Sequence, residues 1–221
     1  MEKTGKLMRN DITELVFILD RSGSMAGLES DTIGGFNSML RKQKAEDGVM
    51  FVSTVLFDNV SEVIHDRLPI ADVPEMTDKD YTPHGCTALL DAIGGAVRHI
   101  SNIHKYARKE DVPAHTMFII TTDGMENASR EFTSDKVKQL IAQKKEEGWE
   151  FLFLAANIDA VETAAHIGIN EECAAQFVSD AAGHAANFGA MCEAVSTVRQ
   201  NKKLSRKWKQ KIEEDYKSRG N

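Results

Sequence analysis

Asp20, Ser22 and Ser24 stand at alternate positions in VFILDRSGSM, directly after four apolar residues. A strand that only filled a core would have no reason to end in a carboxylate and two hydroxyls. Thr87 lies in GCTALLDAI and Asp123 in IITTDG, each beside an apolar run. All five residues are oxygen donors, the ligand type that hard divalent cations prefer. Other chemistry fits these residues less well. Ser24 sits in SGSMAG, which lacks the G-x-S-x-G spacing of a nucleophile elbow, and no histidine is clearly placed as its base. No G-x-x-x-x-G-K-[ST] phosphate loop is present. Asp20 could imitate an aspartyl-phosphate nucleophile, but its usual companion, a second aspartate two residues on, is Ser22 here. Plain structural roles also remain open. Ser22 or Ser24 could cap the next helix, and Asp123-Gly124 could be an ordinary turn.

The elements that must position these residues can be read from hydrophobic spacing. Residues 12–19 (ITELVFIL) read as a first strand, and its late, fully apolar part is typical of a buried parallel strand. From Leu28 the spacing of Thr32, Phe36, Met39 and Leu40 predicts a helix. A strand over 49–57, an Asp58-Asn59 turn and a strand over 60–68 predict a hairpin with an antiparallel edge strand. Three of the four prolines fall in 69–87, which reads as a loop. Further elements follow: helix 88–100, strand 116–121, helix 134–145, strand 150–156, a short strand at 174–178 and helix 181–199. Alternation of strands and helices after one hairpin predicts an α/β fold. It would be a Rossmann-like, doubly wound, mostly parallel six-stranded sheet with one antiparallel edge strand and helices on both faces. In such sheets ligands bind beyond the carboxyl ends of the strands, and that edge would gather all five oxygen donors.

The set DRSGS, then the threonine of GCTALLDA, then TDG after an apolar strand closely resembles the von Willebrand factor type A domain with its metal-ion-dependent adhesion site. The resemblance covers residues 11–199 in element order, and 200–221 lies outside it. It implies a metal held by Ser22, Ser24 and Thr87 directly or nearly so, with Asp20 and Asp123 often acting through water. Hydroxyl ligands would leave the cation electrophilic, so an Asp or Glu of a partner protein could complete its coordination. Mg²⁺ suits such a site, Mn²⁺ is a substitute and Ca²⁺ a poorer one. The implied activity is metal-dependent protein binding and not catalysis. The alternative is a metal-dependent hydrolase or phosphoryl-transfer enzyme. Family members in bacterial-type cells often act as adaptors for ATPases or larger machines.

Composition fits a cytoplasmic protein of this kind. The 221 residues are 42% hydrophobic and 28% charged, with a net charge of −7 that argues against a general nucleic-acid coat. Cys86, Cys173 and Cys192 are odd in number and form no CxxC pair, as expected of free thiols. Cys86 reads as a small filler in a tight loop, and His84 as a surface residue that could reach the metal rim. No signal peptide and no membrane-spanning run is evident. In the tail, Leu204, Trp208, Ile212 and Tyr216 repeat every four residues beside six lysines and arginines between 202 and 211. The expectation is a basic amphipathic helix over 200–221 docked on its own domain. A partner helix, an acidic surface or nucleic acid are the other contacts it could make.

Overall fold

The computed structural model describes residues 12–219. Six strands form one sheet: β1 (Thr13–Asp20), β2 (Met50–Phe57), β3 (Ser61–Pro69), β4 (His115–Thr122), β5 (Glu150–Ala155) and β6 (Ala174–Gln176). Their spatial order is β3-β2-β1-β4-β5-β6. Only the β2–β3 pair is antiparallel. The fold predicted from the sequence is therefore present.

Side-chain alternation along the strands builds two core layers. Leu15, Phe17 and Leu19 of β1 face one side with Met117 and Ile119 of β4. Val16 and Ile18 face the other with Phe118 and Ile120. The first layer is closed by helices α1 (Glu29–Lys44) and α5 (Ala181–Arg199). The second is closed by α2 (Leu89–Tyr106), α3 (Ser134–Glu146) and α4 (Ala160–His166). Strands apolar on both faces are what a sheet covered on both sides requires.

Several boundaries differ from the sequence reading. Helix α2 runs to Tyr106, beyond Ile100, and Ile103 in the added length packs on the second layer. Helix α4 has no counterpart in the sequence reading. Asp159 caps it by accepting from the N–H groups of Val161 and Glu162 at 3.0 and 2.8 Å. The 69–87 segment is a connection, as expected, yet it buries Ile70, Val73, Met76 and Tyr81 against the first layer.

The tail helix, α6 (Gln210–Arg219), begins later than the four-residue repeat suggested. Leu204 lies before a 3-10 turn over Arg206–Lys209, so it is not on the helix, although it still packs on the core. Trp208 and Ile212 are buried in the first layer. The Trp208 indole N–H donates to the Glu172 carbonyl at 2.9 Å, and Gln176 donates to the Tyr216 hydroxyl at 2.9 Å. Arg206 pairs with Glu171 at 2.8 Å and Arg219 with Asp180 at 2.6 Å, so part of the basic charge is matched within the chain. The tail docks on its own domain.

Candidate functional site

β1 lies at the point where the winding reverses. The chain moves outward to β2 and β3, then crosses to β4 on the other side of β1. Open α/β sheets bind ligands in the crevice at such a point, beyond the carboxyl ends. Asp20 is the last residue of β1 and Asp123 directly follows β4. Topology alone thus brings the two aspartates to one crevice.

The turn after β1 aims the two serines. The Ser22 N–H donates to Asp20 Oδ1 at 2.7 Å, folding the chain back over its own carboxylate. Gly23 N–H donates to the Gly85 carbonyl at 3.1 Å, and a Cβ on Gly23 would lie 3.3 Å from that oxygen, so glycine permits the close approach. Ser22 Oγ and Ser24 Oγ are then 3.1 Å apart, and Ser24 Oγ donates to Asp123 Oδ1 at 2.5 Å. Neither serine caps α1. Thr87 arrives from the opposite loop. A Cβ built on Gly124 would be 3.4 Å from Thr87 Oγ1 and 3.5 Å from Ser24 Oγ, which puts both hydroxyls around one small residue. All five residues singled out in the sequence therefore meet in one place, and all but Ser24 are buried.

Neighbouring groups that the sequence reading missed hold this arrangement. The Thr122 hydroxyl donates to Asp20 Oδ2 at 2.5 Å, and the Tyr81 hydroxyl donates to the Asp20 carbonyl. Asn127 Oδ1 accepts the Thr87 N–H at 2.9 Å. Glu126 accepts from the N–H groups of Leu90, Ala128 and Ser129 at 2.8–2.9 Å, pinning the loop after β4 to the start of α2. Arg21, inside the DRSGS motif, forms a buried pair with Asp58 at 2.8 Å and a second with Glu62 at 2.6 Å. Only Thr122, adjacent to Asp123 in TTDG, carried a signal in its position. Tyr81 and Asn127 act across loops whose folding the spacing does not reveal.

One sequence expectation changes here and one holds. Cys86 is exposed and fills no gap; its N–H donates to Asn59 Oδ1 at 2.6 Å. His84 is on the surface, as expected, and its ring nitrogen is 3.1 Å from Asp58.

The electrostatics of the site are uncompensated. Asp20 is 1% and Asp123 3% exposed. Burial raises the pKa of both above the ordinary carboxylate range, although hydrogen bonds from Ser22 and Thr122 to Asp20, and from Ser24 to Asp123, oppose it. Among the described residues neither carboxylate forms an ion pair, and the pKa of His184, which acts on Asp123, is itself lowered by burial. No group of three or more His, Cys, Asp or Glu side chains is placed to hold a metal among the described residues, so any cation here would rest largely on hydroxyls.

Comparison of the whole fold with solved structures is decisive for its type. The vWF domain of the type V pili tip protein Mfa5 from Porphyromonas gingivalis aligns over 87% of this chain and 98% of its own, with a TM-score of 0.59 at 12% identity. The chain has the von Willebrand factor type A fold. Proximal thread matrix protein 1 from the mussel byssus aligns over 86% of this chain, with a TM-score of 0.57 at 15% identity. A von Willebrand factor type A protein from Catenulispora acidiphila aligns over 82%, with a TM-score of 0.53 at 17% identity. This chain spans 46% of the mussel chain and 42% of the Catenulispora chain. No family model and no curated protein matches the chain in sequence. Among the described residues no helix of this type A fold is long and apolar enough to cross a membrane.

Proposed function

We propose that this von Willebrand type A fold is a divalent-cation-dependent protein-binding module. The observation that carries the reading is the meeting of three hydroxyls with two buried, unpaired carboxylates at the winding reversal. A cation would supply the missing counter-charge. Ser22, Ser24 and Thr87 would hold it, with Asp20 and Asp123 as support. When bound, it would offer a Lewis-acidic position to an incoming carboxylate. Mg²⁺ matches the small, oxygen-only set, and Mn²⁺ can take its place.

The partner would be a protein presenting Asp or Glu. Met125, two residues beyond Asp123, is 72% exposed, in the loop that Glu126 pins to the start of α2. An exposed hydrophobic side chain so close in sequence to a polar site favours an acidic residue with an apolar neighbour. An ATPase or another large assembly in the cytoplasm is the partner class proposed, in keeping with three unpaired thiols. The site is proposed as non-enzymatic. Ser24 donates to Asp123 and, among the described residues, not to a histidine that could activate it.

Calorimetric titration of metal-stripped protein with Mg²⁺ and Mn²⁺ tests the first step, with Asp20→Ala beside it. Binding in the wild type alone is the expected result; no heat in either refutes the cation site. Water-proton relaxation of the Mn²⁺-loaded protein tests the second step. A Glu-containing peptide should lower the enhancement, and its Gln counterpart should not.

A further inference from the structure

Five of the six buried polar side-chain atoms without a hydrogen-bond partner among the described residues belong to three residues: Thr32, His184 and Asn187. Protein interiors rarely tolerate such groups unless they serve something. Thr32 is on α1; His184 and Asn187 are on α5. The two helices pack in parallel. Gly35 meets the Phe188 ring, where an added Cβ would be 2.2 Å away, and further along Gln43 donates to Ser196 at 2.9 Å. In that register Thr32 and His184, each about one turn earlier, stand level with one another at the carboxyl edge of the sheet.

That edge is where the candidate site lies. Thr32 lies near the Tyr81 hydroxyl without meeting hydrogen-bond geometry, and that hydroxyl donates to the Asp20 carbonyl. His184 lies within electrostatic range of Asp123, and α5 packs against β4, the strand that Asp123 follows. The His184 ring also packs edge-on against Phe177 at 5.2 Å. Burial lowers its pKa, which favours the neutral ring, with one donor and one acceptor. Asn187 adds both kinds, and Thr32 adds a hydroxyl. A buried water needs two to four such partners.

We propose that Thr32, His184 and Asn187 form a water-holding shell beneath the cation site and position Asp123 through that water. This rests on the cation-binding reading above. Outer groups of this kind commonly change metal affinity by about 10- to 100-fold.

The test combines Mg²⁺ titration with melting of the metal-free protein for His184→Phe, Asn187→Leu and Thr32→Val. Mg²⁺ affinity should fall at least about tenfold in variants whose metal-free melting still shows a cooperative folded state. His184→Gln should keep most of the affinity. Wild-type affinity in the folded variants would overturn the proposal. If His184→Phe does not fold, the nearly isosteric Thr32→Val decides. A crystal structure of the metal-free wild type separates the two claims. Water bonded to both His184 and Asp123 is expected, and direct protein contacts closing the cluster refute the shell. No Mg²⁺ binding by the wild type, with that water in place, would refute the cation site and the positioning role together.

Discussion

Replacing Asp123 by Asn should reverse the order of stability according to whether metal is present. Asp123 is buried and accepts a hydrogen bond from Ser24. Asparagine keeps that acceptor and removes the charge. Burial raises the carboxyl's pKa in the folded state, so the native protein holds the proton more tightly than the unfolded chain does. The stability this provides is complete below the ordinary carboxylate pKa and is lost as pH rises through the raised one. At pH 8 the metal-free wild type carries the full burial penalty, and Asp123→Asn should melt higher. The gap should close as pH is lowered into the carboxylate range. Mg²⁺ at a hundredfold excess over its Kd stabilises the wild type by about 2.7 kcal/mol. For a chain of 221 residues, at about 2–4 °C per kcal/mol, that is a rise of about 5–11 °C. The variant should gain nothing and become the less stable of the two. Differential scanning calorimetry at pH 5 and pH 8, with EDTA or with Mg²⁺, gives all the values needed. A metal-free Asp123→Asn protein that melts below the wild type at pH 8 would refute the burial argument. A wild type indifferent to Mg²⁺ would refute the counter-charge argument.

Ser22→Ala with Ser24→Ala should abolish Mg²⁺ binding and leave the circular dichroism spectrum unchanged, because the Ser22 N–H bond to Asp20 does not need the side chain; loss of fold would contradict this. Gly85 has φ +72°, and a Cβ there would lie 2.1 Å from the Asn59 Oδ1 that accepts the Cys86 N–H. Gly85→Ala should therefore cost about 1–3 kcal/mol in urea denaturation and weaken Mg²⁺ binding through Thr87; unchanged binding would free Thr87 from that anchor. Met125→Ser should leave Mg²⁺ affinity intact and weaken capture of a Glu-containing peptide with an apolar neighbour, measured by calorimetry; equal affinity would remove Met125 from the contact. Trp208→Ala should cost about 3–5 kcal/mol by urea denaturation, and a loss below about 1 kcal/mol would mean that the tail is not part of the core.

Much of this architecture was legible because strands apolar on both faces leave an unmistakable run. VFIL before Asp20 and MFII before Thr121 each predict a central strand, and both are buried. The motif residues were legible because they follow those runs directly. Helix α4 was not, since AVETAAH is short and rich in alanine, with no apolar stripe to mark a face. Its one signal was Asp159, a good N-cap residue. The tail's four-residue repeat was real as burial but misleading as helix, because Leu204 packs from an irregular segment. The α1–α5 polar cluster was invisible for another reason. Two glycines, Gly183 and Gly189, weaken the helical pattern of α5, and only the packed register brings His184 level with Thr32.

How the chain treats its other buried charges argues that the pair at Asp20 and Asp123 is selected and not merely tolerated. Glu14, at the opposite end of β1, has Arg67 at 2.7 Å. Arg21 and Asp58 satisfy one another at 2.8 Å. Lys144 has Glu147 at 2.8 Å, and Lys209 has Glu213 at 3.0 Å. The fold thus supplies a counter-charge at each of these positions, as the cost of an isolated buried ion demands. Asp20 and Asp123 are given only hydroxyls and one backbone N–H. Arg21, next in sequence to Asp20, turns away to Asp58 and Glu62. A cation within reach is directed elsewhere, and the two carboxylates are left without a counter-charge at the carboxyl edge of the sheet, where open α/β sheets bind ligands.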